Sequence, residues 1–232
     1  MAYNNNYEMA SSRVREGVSD FIRGVFTWML LGLVITGIVA DLVASDKPLI
    51  FYLMTHSILF FVLIGLQLGA VIGLSFAITK IPTILSEAIF LLYSALTGVT
   101  FSTIFIIYTT QSIGMVFFLT AVSFGLLAFL GYTTKRDLTS VGNFMMIGLV
   151  TIIIAMVVNF FLKSSVLMYV ISIAGIVIFL GLTAYDMQKL KEIYNSGTFD
   201  EKKEIVLGAL NLYLDFINLF LMMLTLFGQR NE

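Results

Sequence analysis

The longest uncharged stretches constrain this chain more than any other feature of its sequence. Residues 88–134 contain no Asp, Glu, Lys or Arg over 47 positions, and residues 48–79 contain none over 32. An α-helix crosses a bilayer with about 20 mostly apolar residues, so these stretches are long enough to span a membrane. Mean hydropathy is +1.00, and 12% of the residues are charged, whereas soluble domains carry about 25%. We therefore predict an all-α integral membrane protein.

Charged and polar residues divide the chain into seven predicted transmembrane helices. The polar run TTQS at 109–112 splits the longest stretch, Lys163 separates the fifth span from the sixth, and the charged run DEKKE at 200–204 precedes the last. Residues 49–55 (LIFYLMT) are expected to lie near the interface ahead of the second span. The predicted spans are 24–43, 57–78, 84–108, 113–132, 142–162, 165–186 and 205–227.

The basic residues predict the orientation of this bundle, because cytoplasmic loops of membrane proteins are enriched in Lys and Arg. With the amino terminus inside, ten basic residues fall on the cytoplasmic side and three on the other side. We therefore expect a polar cytoplasmic tail at 1–23, a transmembrane domain at 24–228 and a short outer tail at 229–232. The ten are Arg13, Arg15, Arg23, Lys80, Lys135, Arg136, Lys189, Lys191, Lys202 and Lys203, and the three are Lys47, Lys163 and Arg230.

The composition also excludes several functional classes. The absence of cysteine rules out disulfides and thiolate sites, and the single histidine, His56, rules out a multi-histidine metal centre. The 13 basic and 14 acidic residues nearly cancel and lie scattered, so we expect no nucleic-acid partner. The sequence contains no HExxH, GxSxG or Walker motif. We predict no enzymatic activity and no cofactor.

Three glycines form a repeat on one face of the second span, at Gly65, Gly69 and Gly73. In lipid, small residues let two helix backbones approach closely, because dispersion forces drive helix association there. The repeat predicts close packing inside the bundle, with a dimerisation face as the alternative. We expect the chain to be a monomer or a weak homo-oligomer.

Asp215 lies about ten residues inside the last span, a depth of about 15 Å at 1.5 Å per residue. A carboxylate at this depth costs at least about 2.5–3.5 kcal/mol, so we expect it to face the bundle interior among polar partners. Asn211 and Asn218, at i−4 and i+3, share its helix face. A role in ion or proton movement is the favoured interpretation, and a structural hydrogen-bonding role is the alternative.

Asp186 stands at the end of the sixth span, in the predicted cytoplasmic half of the bundle. A short loop joins spans six and seven, so we expect Asp186 and Asp215 to come close together. Two carboxyls in one dry site cannot both ionise at low cost, and such a pair titrates as a unit. A shared proton would hold the helices together, and its loss would separate them, which describes a pH-sensitive gate. The ionised pair would also suit calcium, whereas pairing with a lysine is the alternative for Asp186 alone.

Glu87 follows Lys80 by seven residues at the cytoplasmic entry of the third span. The helix dipole stabilises a carboxylate near a helix N-terminus, which gives this position a structural explanation. A place near an ion pathway, as a supporting polar residue, is the alternative.

Five segments of the chain carry a family signature. They are LLYSALTGVTFSTIF (91–105), GYTTKRDL (131–138), NFFLKS (159–164), GLTAYDMQKLK (181–191) and LGALNLYLDFINLFLMMLTLFG (207–228). They resemble the transmembrane Bax inhibitor motif family, and most closely its bacterial inner-membrane branch. The resemblance extends from about Val18 onward and implies a seven-helix bundle with a central last helix. It also implies a pH-dependent calcium leak gated by an aspartate pair, which falls on Asp186 and Asp215.

One departure from that family concerns a cationic latch. Calcium-leak members carry an arginine towards the end of span two that pairs with the span-six aspartate, but span two of this chain contains neither arginine nor lysine. Gln67 within the span and Lys80 just beyond it are the remaining candidates for that role. Some bacterial relatives also resemble regulators of an ATP-dependent membrane protease.

Three functions are therefore considered, and a pH-regulated leak for calcium or another cation across the bacterial inner membrane is the main prediction. The alternative is a modulator of a membrane protease or a stress response, which would bind its partner through the polar residues 1–20. An intramembrane aspartyl protease is suggested by Tyr185–Asp186. The Gly-x-Gly-Asp motif of such enzymes is missing, however, because residues 211–214 read NLYL.

Overall fold

The chain forms a bundle of α-helices in the computed structural model, which describes residues 2–78, 80–196 and 200–231, with side chains for all of these except 2–16 and 57. The helices are α1 (Ala2–Ser45), α2 (Lys47–Thr55), α3 (Ser57–Ala77), α4 (Thr83–Ile107), α5 (Thr110–Thr133), α6 (Thr139–Leu162), α7 (Ser165–Ser196) and α8 (Glu201–Phe227). Within the described residues, all but α2 contain a segment long and apolar enough to cross a membrane, which makes seven spans. The predicted all-α, seven-span membrane fold is confirmed.

Helix α1 extends further toward the amino terminus than the predicted first span. Its backbone is helical from Ala2, and its apolar part is Gly17–Ser45. Val18, Phe21 and Ile22, which were assigned to the polar tail, are buried in the bundle core. Their i, i+3, i+4 spacing forms an apolar stripe that continues into the span, so the helix has no break at residue 23.

Two other boundaries differ from the sequence-based ones. Residues near the second span form the separate helix α2, which begins after Asp46, whose carboxylate accepts a hydrogen bond from the Leu49 N–H at 3.1 Å. Helix α7 continues to Ser196, ten residues beyond the predicted end of span six. Asp186 therefore lies inside a continuous helix rather than at its end.

Helix α8 occupies the centre of the bundle. It packs against α1, α3, α4, α5 and α7, and 67% of its most apolar stretch is buried, more than in any other described span. Asn211, Asp215 and Asn218 of α8 are polar or ionisable side chains that are costly in contact with lipid, which favours a place for this helix inside the bundle. In contrast, α3 and α6 lie at the periphery, where α3 packs mainly on α4 and α6 on α7. Throughout, the inner side denotes the predicted cytoplasmic side, where α3 ends and α8 begins.

A buried hydrogen-bonded node joins α1, α4 and α8. The Thr36 hydroxyl lies 2.6 Å from the Tyr213 hydroxyl and 2.9 Å from the carbonyl oxygens of Gly32 and Ser94. Because Thr36 has one hydroxyl proton, which a carbonyl accepts, Tyr213 is the donor to Thr36. The Tyr213 ring is fully buried. This node sets the position of α8 two residues before Asp215.

The carboxyl-terminal residues attach the outer end of α8 to the loop between α4 and α5. The Gln229 carbonyl accepts a hydrogen bond from the Thr109 N–H at 2.9 Å, and the Gln229 N–H donates to the Ser112 hydroxyl at 2.7 Å. The Asn231 N–H donates to the Ile107 carbonyl at 2.9 Å. The predicted tail at 229–232 is thus, over its described residues, a paired segment.

We predict that Gly131→Ala destabilises the bundle, because a Cβ at Gly131 would collide with the backbone carbonyl of Ala184 where α5 crosses α7. Overpacking of this kind costs about 1–3 kcal/mol. Thermal unfolding of the purified protein in detergent measures the loss. Gly125→Ala on the same helix is the control, since its Cβ would meet nothing within 4 Å. Equal melting temperatures for both variants would contradict the close α5–α7 crossing.

We predict that Tyr213→Phe lowers the free energy of unfolding by about 0.5–1.5 kcal/mol, the usual net value of a lost hydrogen bond. The ring stays in place while the bond to Thr36 is removed. Tyr169→Phe, at a side chain that is 58% exposed, is the matched control. Thermal unfolding in detergent compares the two variants. A Tyr213→Phe protein with the same stability as the natural protein would show that the hydrogen-bonded node does not stabilise the bundle.

Candidate functional site

A cavity of about 880 Å³ lies between α3, α4, α6, α7 and α8. Its wall combines apolar side chains with a small group of polar and charged ones. Cavities of this size are typical of small-molecule and ion sites in proteins. The residues that line it are Ile64, Gln67, Leu68, Val71, Tyr93, Asn143, Met146, Leu149, Ile153, Phe179, Leu182, Tyr185, Asp186, Lys189, Asn211, Leu214, Asp215 and Asn218.

Helix α8 contributes a narrow polar stripe to this cavity. Asn211, Asp215 and Asn218 line it together with Leu214, at the i, i+3, i+4, i+7 spacing of one helix face. Asp215 is only 6% exposed, and its Oδ2 atom has no hydrogen-bond partner among the described residues. Buried polar atoms are nearly always paired. Asp215 therefore brings to the wall of the cavity a buried carboxylate, one oxygen of which has no hydrogen-bond partner among the described residues.

Asp186 reaches the same cavity from α7, next to Lys189. Asp186 and Asp215 lie near enough for their carboxylate charges to interact. The Lys189 ammonium, one turn further along α7, acts on Asp186 with the opposite sign, and it lies 5.6 Å from the centre of the Tyr185 ring. The structure thus brings both predicted aspartates into one cavity and adds a lysine to the pair.

The supporting residues predicted from sequence fall into two groups. Asn211, Asn218 and Gln67 line the cavity, whereas the exposed Lys80 and the half-buried Glu87 do not. The Asn218 amide donates to the Leu214 carbonyl at 2.7 Å, and Glu87 lies in the first turns of α4. The first turn of α4 contains no acidic residue, so the role of Glu87, the fifth residue of the helix, stays a prediction.

Neither predicted substitute for the family's arginine latch contacts the aspartates. The Gln67 amide donates to the Leu96 carbonyl at 3.3 Å and to the Thr100 hydroxyl at 3.4 Å, both on α4. Lys80 follows the end of α3 and lies outside the cavity. The cation that acts on Asp186 is Lys189 of the same helix. Its i+3 spacing is visible in the sequence, but no ion pair within 4.0 Å joins Asp186 and Lys189 in the described part of the chain, so the lysine alternative stays a prediction.

The glycine repeat of α3 does not pack inside this chain. A Cβ at Gly65, Gly69 or Gly73 would meet no described atom within 4 Å, and all three glycines are exposed. Their face points away from the bundle, because Gln67 and Leu74 are on the side of α3 that contacts α4 or is buried. The prediction of close internal packing is therefore wrong. The dimerisation alternative stays a prediction.

Sequence reasoning missed three polar residues of the cavity: Tyr93, Asn143 and Tyr185. Tyr93 packs edge-to-face on Tyr213 at 5.8 Å and so connects the cavity with the hydrogen-bonded node. Tyr185 was noticed only as the neighbour of Asp186. Asn143 lies near the start of α6, and no local signal separates it from other helix-end residues; only its position opposite α7 brings it to the site.

The loop between α5 and α6 is attached to α7 close to Asp186. The Gln188 side chain accepts a hydrogen bond from the Leu138 N–H and donates one to the Arg136 carbonyl, both at 2.8 Å. In the same loop, hydrogen bonds from the Thr139 side chain and backbone hold the pKa of Asp137 below its ordinary value. These contacts hold α6 and α7 together at the inner side of the cavity.

Comparison with known proteins identifies the family. The family model described as "Inhibitor of apoptosis-promoting Bax1" matches residues 18–232. The inner membrane protein YbhL of Escherichia coli K12 is 46% identical over 220 residues, which cover 93% of this chain and 94% of the relative. An uncharacterized protein of Borreliella burgdorferi is 44% identical over 217 residues (92% and 94%), and one of Rickettsia prowazekii is 40% identical over 223 residues (94% and 92%).

Together with the seven apolar helices, these similarities describe a multi-pass protein of the bacterial inner membrane. The match covers every described span, including the polar stripe of α8 and the Asp186 region of α7. The predicted resemblance is confirmed, and the chain belongs to the Bax inhibitor family.

Proposed function

We propose that the protein is a pH-regulated leak for calcium or another cation, gated by Asp186 and Asp215. The supporting observation is one cavity that contains carboxylates from two neighbouring helices, with Oδ2 of Asp215 buried and without a hydrogen-bond partner among the described residues. A buried carboxylate oxygen without a partner raises the free energy of the folded state. A proton or a passing cation removes that cost, so the site suits the transient binding of either.

The proposed gate responds to pH through repulsion between the two carboxylates. When the pair holds one proton, one carboxyl donates a hydrogen bond to the other and α7 stays close to α8. When that proton leaves, two negative charges face each other in a poorly solvated cavity and push the helices apart. Lys189 offsets part of the charge on Asp186, and the other titratable groups that line the cavity are the phenols of Tyr93 and Tyr185. The leak should therefore increase as pH rises.

The outer half of the bundle has the packing expected of a closed state. Phe216, directly after Asp215, packs against Phe117 and Phe124 with ring centres 5.3 and 5.5 Å apart, and Phe220 lies 6.0 Å from Phe117. These rings lie around α8 on the outer side of Asp215. A hydrated ion could not pass them without a rearrangement of α8 or its neighbours, which is the rearrangement that the gate would drive.

The cavity offers oxygen ligands of the kind that calcium prefers. Calcium takes about six to eight oxygens from carboxylates, amides and water, and Asp186, Asp215, Asn211 and Asn218 present such groups to the cavity. No cluster of three or more His, Cys, Asp or Glu side chains occurs in the part of the chain that the structure describes. The donor set therefore suits an ion that keeps part of its water shell during passage. It suits a tightly held resident ion less well.

We predict that Asp215→Asn and Asp186→Asn abolish the pH response of calcium flux into liposomes loaded with a calcium-sensitive dye. A neutral amide cannot lose the proton that closes the gate. If the carboxylates repel by about 1.4 kcal/mol, the open fraction of the natural protein changes about tenfold over its titration. Asp41→Asn is the matched control, because Asp41 is an exposed aspartate of α1 outside the cavity.

The flux experiment requires each variant to be as monodisperse after purification as the natural protein. Equal rates and equal pH responses for the natural protein and both cavity variants would refute the gate. A flux that falls as pH rises would contradict the sign of the mechanism.

The alternative function, modulation of a membrane protease, would use the amino-terminal part of α1. This segment is helical from Ala2 and contains polar and charged residues before Gly17. Under this proposal, deletion of residues 2–16 changes the turnover of a membrane-protease substrate in cells while calcium flux in liposomes stays the same. Unchanged turnover after the deletion, with normal protein levels, counts against it.

A further inference from the structure

Along α6 and α7, the wall of the cavity is polar toward its inner end and apolar toward its outer end. Asn143, Tyr185 and Lys189 line the inner part, near the start of α6 and the inner end of α7. Ile64 and Ile153 line the outer part. On α6, Ile153 follows Asn143 by ten residues, or about 15 Å along the helix at 1.5 Å per residue. A molecule with a polar head and an apolar tail would match this distribution.

The walls formed by α3 and α6 also face the bilayer. Leu68 and Ile153 line the cavity and are nevertheless 59% and 52% exposed. Helix α3 packs mainly on α4, whereas α6 packs mainly on α7. The two helices approach each other through Phe61 and Phe160, whose ring centres are 6.1 Å apart. Since Phe61 and Phe160 are further out than Ile64 and Ile153, the cavity is open to lipid on the inner side of this contact.

The charges in the cavity leave one carboxylate without compensation. Asp186 interacts with the Lys189 ammonium, whereas Oδ2 of Asp215 has no hydrogen-bond partner in the described part of the chain. When both acids are ionised, the two carboxylates and the one ammonium that line the cavity sum to a charge of −1. One positive charge that carries N–H donors would both neutralise Asp215 and donate hydrogen bonds to its carboxylate.

We infer that this cavity binds a primary alkylammonium amphiphile, with the ammonium at the Asp215 carboxylate and the alkyl tail between α3 and α6. The amphiphile enters from the bilayer between the two helices. The ammonium replaces the proton that the aspartate pair would otherwise hold. This inference uses the same carboxylate as the proposed leak, but it stands or falls on binding and needs no conduction.

The head group of the amphiphile determines which molecules the cavity binds most tightly. Lipid tails are as apolar as the α3 and α6 walls, so the alkyl tail gains little by leaving the bilayer. The ammonium gains a charge-assisted hydrogen bond that lipid cannot supply. A trimethylammonium head has the same charge but no N–H donor, and an alcohol has a donor but no charge. We therefore expect dodecylamine to bind about tenfold more tightly than either analogue.

The test measures binding of radiolabelled dodecylamine to the full chain in phosphatidylcholine nanodiscs at neutral pH, with empty nanodiscs subtracted. Unlabelled dodecylamine, dodecyltrimethylammonium, dodecanol and dodecyl sulfate compete in parallel. The expected result is saturable binding of one dodecylamine per chain. Dodecyltrimethylammonium and dodecanol compete about tenfold more weakly, and dodecyl sulfate, which Asp215 repels, competes least.

Substitutions in the chain test whether Asp215 binds the ammonium of dodecylamine. Asp215→Asn should weaken dodecylamine binding about tenfold or more, whereas Asp41→Asn, an exposed aspartate outside the cavity, should leave it unchanged. If Asp215→Asn does not fold, the head-group series on the natural chain still decides the question, because it needs no substitution.

Two results would overturn the inference. One is equal competition by dodecylamine, dodecyltrimethylammonium and dodecanol, which would show that the head group is not recognised. The other is a folded Asp215→Asn protein with undiminished affinity. Absent binding together with a pH-dependent calcium flux would reject this inference and leave the proposed leak intact, whereas selective binding without any flux would reject only the leak.

Discussion

The main physical constraint on this structure is an ionisable carboxyl group, that of Asp215, which lies in the most buried helix of a membrane protein. Asp215 is 6% exposed in α8, where a charge without partners costs several kcal/mol. The surrounding fold places Asp215 at a cavity and gives its Oδ2 atom no hydrogen-bond partner among the described residues. Polar side chains from α7 and α8 meet there, while α3 and α6 form the outer walls. A fold that only stabilised itself would have an apolar residue at this position, so the carboxyl points to function.

Different contacts hold the outer half and the middle of α8. Toward the outer side, aromatic rings surround Phe216 and Phe220, and the backbone of Gln229 is paired with the loop between α4 and α5. Near the middle, Tyr213 is bound to Thr36 of α1. These contacts join α8 to α1, to α5 and to the loop between α4 and α5. The polar stripe of α8 faces the cavity, and in the proposed gate a change of charge there would move α7 and the peripheral helices relative to α8.

Because Lys189 lies on α7 and not on α3, contacts without an ion pair to α7 hold helix α3 in the wall of the cavity. A latch on α3 would tie that helix to α7 through an ion pair, but Lys189 belongs to α7 itself and can only balance Asp186 within one helix. Helix α3 is held instead by hydrogen bonds from Gln67 to α4 and by the Phe61–Phe160 contact with α6. None of these contacts carries charge, so α3 can move relative to α6 without separating an ion pair.

The sequence alone determined the class of the fold and the identity of the two aspartates. The number of spans follows from the number and length of the apolar stretches. The free-energy cost of a charge in lipid identifies Asp215 as a candidate functional residue, whatever position its helix takes in the bundle. Only the tertiary structure decided what each helix face meets. The spacing of Gly65, Gly69 and Gly73 defines a face but not its neighbour, and that face points outward. Lys189 and Asn143 enter the site because α7 lies beside α6 and α8, and such distances between helices depend on packing that no single helix encodes.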